Sequence, residues 1–302
     1  MNFIDVLEAR NVYERGENVT EYLRAKYGET VNNSEIIEIS YDLQAGSYVE
    51  FVKSNFEKAK LYTNELAELI GKHACEGDSL LDVGTGELTT LSLILEANKF
   101  SPSQVLAFDI SWSRLKKGEA FFHENNRKND VPLQTFVSDM KEIPLHSKSV
   151  DVIISSHALE PNGDNLSQLL KELFRVAKRK LVLFEPSYEL NTQEGKERMQ
   201  RLGYIKGMEA TAEALGGRVL DIIPIKNVSN PLNPTACYVI EPPQADGMVS
   251  KEKPTFSVPG TNFVLERKDS FFASKDTGLI FPIFENIPIL KGQNGILATA
   301  HF

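Results

Sequence analysis

The chain has 302 residues, of which 41% are apolar, and it carries a formal net charge of −9 with a pI near 5.2. This length can bury one large α/β domain and a smaller appendage, whereas the acidic balance argues against a broad phosphate-binding surface and so against nucleic acid as a partner. No run reaches the roughly 20 apolar residues that cross a bilayer, so we expect no membrane contact and a cytoplasmic location.

The first 72 residues are predicted to be mainly helical. Apolar residues recur at spacings of three, four or seven from Phe3 to Lys26, and again from Tyr48 to Lys72, as on the buried stripe of an amphipathic helix. Between these two stretches, residues 39–48 contain a glycine and short polar side chains that interrupt the pattern. We therefore predict an N-terminal helical unit over residues 1–72.

The next segment, Leu80-Leu81-Asp82-Val83-Gly84-Thr85-Gly86-Glu87, is an apolar strand that runs into Asp-x-Gly-x-Gly. The two glycines let the backbone approach a ligand closely, as in nucleotide-cofactor turns, although a plain tight βα turn is the simpler alternative. A dinucleotide site would have a third glycine at Thr89, so a nicotinamide-dependent reductase is disfavoured.

From residue 73 to 243 the predicted elements alternate between strand and helix. They are strands at 79–83, 104–108, 133–137, 150–156 and 180–185, helices at 88–98, 111–126, 164–178 and 193–215, and final strands at 218–225 and 235–240. This alternation predicts a parallel sheet covered by helices on both faces. Asp109 ends the second strand and Asp139 follows the third.

The glycine turn and the acids Asp82, Asp109 and Asp139 resemble the class I S-adenosylmethionine (SAM)-dependent methyltransferases. The resemblance implies a Rossmann-like, seven-stranded sheet with an antiparallel last strand, SAM as cofactor and S-adenosylhomocysteine as product. In that family the glycine turn lies under the methionine part of SAM, and the acids after the second and third strands lie by the ribose and the adenine. The implied cofactor-binding residues are Asp82, Gly84, Thr85, Gly86, Asp109, Ile110, Asp139, Met140 and Ser155. Where the family has a further glycine, this chain has Leu88.

The loop after the fourth strand, which faces the methyl group in the family, contains His157. Many small-molecule members have a histidine in this loop, at the position where this chain has Pro161. His157 is the histidine that remains in the loop, so it is a candidate base. Packing of His157 against SAM is an equal alternative. Glu185, at the end of the fifth strand, is predicted to open onto the same cleft as a second candidate base. Without a base, the acceptor should be ionised already at neutral pH, which favours a carboxylate.

Two further sets of candidate site residues are identified by their position in the chain. Tyr41 and Tyr48 precede the core as lid tyrosines do in related enzymes, so we predict that they cover SAM and the substrate. The helix over 193–215 presents cations and an aromatic residue that could bind an anionic substrate, but we predict a solvated helical face. These residues are Arg198, Arg201, Tyr204 and Lys206.

A polar stretch, Gln244 to Pro254, is predicted to link the core to a small C-terminal unit over residues 244–302. The segment from Gly278 to Leu290 resembles the end of short zinc-ribbon proteins that partner methyltransferases. The two cysteines, Cys75 and Cys237, are far apart and neither follows residue 243, so we predict no disulfide and no metal site. We expect a metal-free β appendage that serves packing, dimerisation or substrate contact.

Taken together, these features predict a SAM-dependent methyltransferase that methylates an oxygen of a small molecule or peptide in a biosynthetic pathway. One version is methyl-ester formation on the C-terminal carboxylate of a modified ribosomal peptide. A different class stays open, because the departures at Leu88 and Pro161 are also typical of a SAM-binding partner protein without activity.

Overall fold

The computed structural model describes residues 3–98, 100–126, 132–244 and 253–302. Its centre is a seven-stranded sheet of order β3-β2-β1-β4-β5-β7-β6, in which β7 runs antiparallel to both neighbours and the other pairs are parallel. The strands are β1 (Ser79–Val83), β2 (Gln104–Asp109), β3 (Leu133–Val137), β4 (Val150–Ser156), β5 (Ala177–Pro186), β6 (Arg218–Pro224) and β7 (Thr235–Glu241). The seven-stranded methyltransferase-type sheet that we predicted is therefore confirmed.

Helices cover both faces of this sheet, because each central strand is apolar on both sides. Leu80 and Leu81, for example, are both fully buried but belong to different apolar clusters, since successive strand residues point to opposite faces. The helices are α1 (Phe3–Glu14), α2 (Val19–Tyr27), α3 (Ser34–Asp42), α4 (Ser47–Ser54), α5 (Phe56–Gly71), α6 (Thr89–Ala97), α7 (Trp112–Asn125), α8 (Leu166–Val176), α9 (Gln193–Leu202) and α10 (Met208–Ala214). Among the described residues, none of these helices has the length and apolar character needed to cross a bilayer.

Three predicted long helices are each divided in the structure. The first breaks at Gly16, which has a φ of 74°, and α2 begins anew after the N-cap Asn18. The second breaks at Asn55, between α4 and α5, and the third ends at Gly203, with a φ of 69°. The apolar period continues across each break, so periodicity alone predicts one helix. A further helix, α3, extends into the segment that we predicted to be irregular, so that prediction was wrong for residues 39–42.

The C-terminal residues form the small antiparallel sheet that we predicted. Its strands are β8 (Glu266–Arg267), β9 (Phe271–Ser274), β10 (Leu279–Phe284), β11 (Ile287–Pro288) and β12 (Ile296–Leu297). Most of the predicted linker, residues 245–252, lies outside the described residues. Just after β11, Ile289 pairs in parallel with Val137, and the Leu290 amide donates to the Val137 carbonyl at 2.8 Å. The C-terminal sheet therefore lies against β3, the edge strand of the central sheet.

Aromatic side chains join the C-terminal residues to the main apolar core. The ring of Phe256 lies edge-on at 5.0 Å from Phe136 of β3 and at 5.1 Å from Phe272 of β9. At the other end, the buried ammonium of Lys291 pairs with Glu38 of α3 at 2.5 Å. The C-terminal sheet thus contacts both the edge of the central sheet and the N-terminal helices.

Phe256→Ala is expected to lower the free energy of unfolding by about 3–5 kcal/mol, because it empties an aromatic site between two apolar layers. Phe263→Ala is the matched control, since Phe263 is 49% exposed and Phe256 only 5%; we expect it to change stability by less than about 1 kcal/mol. Urea unfolding of the two variants measures the difference. Equal effects would mean that the C-terminal residues do not share the core.

Candidate functional site

A cavity of about 950 Å³ opens at the carboxyl ends of the parallel strands. Its walls are the glycine turn, the ends of β2 and β3, the loop after β4, the N-terminal helices, and the segment that leads into β7. Ten of the thirteen predicted site residues line it together: Tyr41, Tyr48, Gly84, Thr85, Gly86, Asp109, Ile110, Asp139, Met140 and His157. The other three, Asp82, Ser155 and Glu185, do not.

The turn after β1 has the backbone that its glycines allow. Gly84 and Gly86 have φ values of 65° and 58°, and a Cβ on Gly84 would come within 2.5 Å of the Ala158 Cβ. Leu88, at the position of the expected further glycine, also has a left-handed backbone, with a φ of 56°. Such a conformation costs a leucine about 1–2 kcal/mol, but its side chain is fully buried in the apolar core. The turn therefore keeps its shape without the extra glycine.

Asp109 is fixed by the backbone on both sides of it. One carboxylate oxygen accepts from the Gly86 amide and the other from the Ser111 amide, both at 2.9 Å. The Arg114 guanidinium lies 3.8 Å from the same carboxylate, which is 4% exposed. The acid at the end of β2 is thus held at the glycine turn, at the wall of the cavity.

Arg114 is a site residue that the sequence reasoning missed. Its guanidinium lies against Gly86 and stacks between the rings of Tyr41 and Tyr48, at 5.1 and 4.6 Å from their centroids. The residue is 8% exposed, and its Nε has no hydrogen-bond partner among the described residues. A signal was present in the sequence, because a cation in the first turn of a helix opposes the helix dipole and needs another reason to be there.

The two tyrosines that we predicted to form a lid line the cavity together with the glycine turn. Burial raises the pKa of both phenols, so both are neutral near pH 7 and neither is suited to take a proton as an anionic base. Tyr41 lies in the last turn of α3, and Tyr48 lies in the first turn of α4. Their contact with Arg114 connects the N-terminal helices to the glycine turn.

Glu87, which follows the glycine turn directly, connects the same two parts of the chain. Its buried carboxylate accepts from the amides of Gly46, Tyr48 and Val49 at 2.9, 3.4 and 2.8 Å. These are the first amides of α4, which have no partner within the helix. A side chain next to the glycine turn therefore caps the helix that carries Tyr48.

Glu87→Ala is expected to loosen the start of α4, because it removes the shared acceptor of three amides. Loss of an N-cap costs about 0.5–2 kcal/mol, so hydrogen exchange at these amides should rise about 3- to 30-fold. The control is Glu50→Ala, which removes an exposed carboxylate from the same helix. The exchange rates of these amides are measured by NMR. Equal protection of the α4 amides in the two variants would contradict this role of Glu87.

Glu185 has a different position from the one that we predicted. Its fully buried carboxylate accepts from the Ser155 hydroxyl at 2.7 Å and from the amides of Ala158, Leu159 and Glu160 at 3.1–3.2 Å. Burial raises the pKa of Glu185 to about 7. Because these bonds occupy the carboxylate, Glu185 holds the loop after β4 in shape rather than reaching a substrate, which corrects the catalytic role that we predicted.

Asp82 and Ser155 likewise lie behind the cavity wall. Asp82 is 6% exposed, and burial raises its pKa to about 7. Ser155 is engaged with Glu185. Neither residue lines the cavity, in contrast to the direct cofactor contact that we predicted for both.

His157 is oriented by partners on both of its ring nitrogens. Nδ1 lies 2.8 Å from a carboxylate oxygen of Glu160, and Nε2 lies 2.8 Å from the Thr235 hydroxyl at the start of β7. Burial disfavours the imidazolium, but Glu160 outweighs this effect, so the pKa of His157 is raised above its ordinary value. With Nδ1–H donating to Glu160, the lone pair of Nε2 is directed towards the cavity wall at Thr235.

Several side chains beside His157 were not predicted as site residues or were given another role. Glu160, Asn233 and Thr235 line the cavity, as do Arg198 and Tyr204. Arg201 and Lys206 are exposed and are not part of the lining, so the solvated face that we predicted for this segment holds for only two of its four polar residues. We call the part of the cavity at His157, Glu160, Arg198, Asn233 and Thr235 the acceptor side.

Residues 81–184 match the family model of the methyltransferase domain. A solved complex between the Haloferax volcanii Trm112 methyltransferase activator and the putative methyltransferase is similar at 17% identity, covering 65% of this chain and 94% of that chain with a TM-score of 0.50. A SAM-dependent methyltransferase from Aquifex aeolicus is 21% identical (60% and 90% covered, TM-score 0.42), and geranyl diphosphate C-methyltransferase from Streptomyces coelicolor is 12% identical (59% and 75%, 0.45). No curated protein matches the sequence.

Proposed function

We propose that this chain, whose residues 81–184 match the family model of the methyltransferase domain, is a SAM-dependent methyltransferase that methylates a hydroxyl oxygen of a small molecule. The observation that carries the proposal is the His157–Glu160 pair on the acceptor side of the cavity. An imidazole that is oriented by a carboxylate is suited to take a proton from a bound hydroxyl group.

The described residues fit SAM as the cofactor. A Cβ at Gly84 or Gly86 would meet a neighbouring side chain within 2.5 Å, so only glycines fit this turn, and both line the cavity. Asp109 is held by two amides, and its remaining lone pairs are suited to accept from the two ribose hydroxyls. Ile110 and Met140 offer apolar surface beside Asp139 for the adenine. When bound, SAM supplies an electrophilic methyl group on its sulfonium.

The residues of the acceptor side would move one proton. Glu160 holds His157 through Nδ1–H and stabilises the imidazolium that forms when Nε2 takes the proton of the acceptor hydroxyl. The Thr235 hydroxyl, which contacts Nε2 in the structure, would turn aside by rotation about the Cα–Cβ bond and leave Nε2 to the acceptor. Methyl transfer to the oxygen then leaves the proton on His157, from which water removes it.

A base of this kind distinguishes a hydroxyl from a carboxylate as the acceptor. A carboxylate is ionised at neutral pH and needs no base, whereas a hydroxyl must lose a proton. An oriented His157 therefore supports the hydroxyl, although the sequence alone favoured the carboxylate. The 950 Å³ cavity lies at the upper end of the range of about 300–1,000 Å³ for small-ligand pockets, which leaves room for a cofactor and a small acceptor.

We also propose that the C-terminal unit, counted from residue 244, serves packing rather than substrate contact. None of the described residues from 253 onwards lines the cavity, while Phe256, Ile289 and Lys291 contact the core and α3. The division of the chain near residues 72 and 243 remains part of this proposal. Dimerisation through the appendage stays a hypothesis, which sedimentation measurements of the oligomeric state would test.

The experiment that tests the function uses SAM labelled in its methyl group. The protein is incubated with a set of small phenols, alcohols and carboxylic acids, and the products are then treated with mild alkali, which cleaves methyl esters and leaves methyl ethers intact. We expect label in alkali-stable products. Label that alkali releases would instead make a carboxylate the acceptor.

Calorimetry with SAM and S-adenosylhomocysteine tests the remaining alternative, a SAM-binding partner protein without activity. Binding of the cofactor with no labelled product from any acceptor would favour that alternative. Failure of both compounds to bind would reject the assignment of the cavity as a SAM site.

A further inference from the structure

We propose that Arg198 binds an anionic oxygen group of the methyl acceptor, so that the substrate is a hydroxylated carboxylic acid or phosphate ester rather than a neutral alcohol. This inference rests on the proposed function, because it takes the acceptor side of the cavity as the place where the substrate binds. It adds the chemical class of that substrate.

The first observation is that the Arg198 guanidinium is incompletely paired. Arg198 lies on α9 and lines the cavity, and its Nη1 is a buried nitrogen that has no hydrogen-bond partner among the described residues. An unpaired buried donor costs about 1–3 kcal/mol, and more when it is charged. A ligand that accepts from Nη1 would remove this cost, and the planar fork of an arginine matches the two oxygens of a carboxylate or phosphate.

The second observation is that neighbouring residues hold Arg198 towards the cavity. Its guanidinium lies 5.7 Å from the ring centroid of Tyr204, and Tyr204 also interacts with Glu160, the partner of His157. Both side chains line the cavity together with His157. Arg198 is therefore connected through a single residue to the pair that we propose as the base.

The third observation is the charge on this side of the cavity. The chain as a whole has a net charge of −9, yet Arg198 lines the acceptor side, and Lys226 lines the cavity from the segment that leads into β7. The acid there, Glu160, is engaged by His157 at 2.8 Å and by the Asn233 amide at 3.3 Å. With that acid engaged, the Arg198 guanidinium favours an anionic ligand over a neutral one.

A fourth observation concerns the other end of the substrate. The Asn233 Oδ1 is also buried, lines the cavity and lacks a hydrogen-bond partner among the residues described. It can accept from a donor such as a second hydroxyl group. The acceptor side thus offers one free donor, one free acceptor and a base, which suits a small polar acid that carries hydroxyl groups.

The test compares matched probes on protein saturated with S-adenosylhomocysteine. 4-Hydroxybenzoate and 4-hydroxyphenyl phosphate carry the anion, and 4-hydroxybenzyl alcohol replaces it with a neutral group of similar shape. In NMR titrations of the wild type we expect the better anion to bind about 10- to 100-fold more tightly than the alcohol, as a charge-assisted pair allows. Whichever of the two anionic probes binds more tightly identifies the preferred group as a carboxylate or a phosphate.

The variants assign this preference to one residue. Arg198→Gln is expected to reduce the preference to less than about threefold, within the range of a neutral hydrogen bond, while the affinity for the alcohol is kept. Arg201→Gln is the control, because Arg201 lies on the same helix but is exposed and outside the lining. A wild type with no preference for either anion, or a preference that survives Arg198→Gln, would overturn the proposal.

The outcome is separable from that of the proposed function. A protein that methylates neutral phenols and ignores the anions would leave hydroxyl methylation standing and remove the anion site. A protein that prefers the anions through Arg198 but transfers label to no hydroxyl would keep the anion site and remove the proposed reaction.

Discussion

His157→Gln is expected to slow methyl transfer by about 100- to 10,000-fold, the usual contribution of a positioned general base. Glutamine can still hydrogen-bond to Glu160 or Thr235, so the loop after β4 should keep its shape, but the amide cannot take a proton near neutral pH. Affinity for S-adenosylhomocysteine should stay within about twofold, because its binding does not depend on a base. Rate and affinity are measured separately, by label transfer and calorimetry.

The pH dependence gives a second readout of the same role. The base must be neutral to accept a proton, so the rate should rise with pH through the pKa of His157, which Glu160 raises above its ordinary value. Glu160→Gln removes the stabilising anion, so this rise should shift to lower pH while the maximal rate falls. NMR titration of the His157 ring gives its pKa without any substrate.

An unchanged rate in His157→Gln would contradict the base role and indicate an acceptor that is ionised before it binds. The same conclusion would follow from a pH profile that does not move in Glu160→Gln. If the rate and the cofactor affinity fell together, His157 would be a residue that shapes the cavity. A slower rate at unchanged affinity, an unchanged rate, and a joint loss of rate and affinity thus indicate different roles for this side chain.

The fold could be predicted from the sequence because its signals are local. Each central strand is a short apolar run, and the turn after β1 needs a left-handed backbone that glycines supply at Gly84 and Gly86. The breaks in the predicted long helices were missed because an apolar stripe can continue across a turn. Gly16 and Asn18 were the local signals for the first break, and Gly203 for the third.

The site was predicted only in part, because several of its side chains are positioned by contacts between segments that are distant in the sequence. Asp109 ends β2 and Asp139 comes two residues after β3, so their place at the carboxyl ends of the strands follows from topology. Glu87 instead caps a helix that lies about 40 positions earlier in the sequence, and Glu185 turns to a loop that begins 27 residues earlier. Neither the spacing nor the residue type predicts such pairings. Thr235, the partner of His157, is 78 residues away from it.

Asp109→Asn is expected to weaken the binding of S-adenosylhomocysteine by roughly 30- to 1,000-fold, equivalent to about 2–4 kcal/mol. The asparagine has one acceptor oxygen for two amides, those of Gly86 and Ser111, so one amide would face an NH₂ group. Arg114 would also lose the carboxylate that lies 3.8 Å from its guanidinium, and a buried cation without its anion is strongly unfavourable. Both effects act at the glycine turn.

The control for this prediction is Asp151→Asn, because Asp151 is also a hydrogen-bonded carboxylate of the sheet. It accepts from the Ser79 amide and hydroxyl at 2.9 and 2.6 Å, at the start of β1 and β4 and thus at the opposite end of the strands from the cavity. We expect this variant to lose stability without losing cofactor affinity. Calorimetry that found equal losses in the two variants would mean that Asp109 acts through the stability of the sheet. A loss confined to Asp109→Asn would instead make this acid the ligand that ties the cofactor to both the glycine turn and α7.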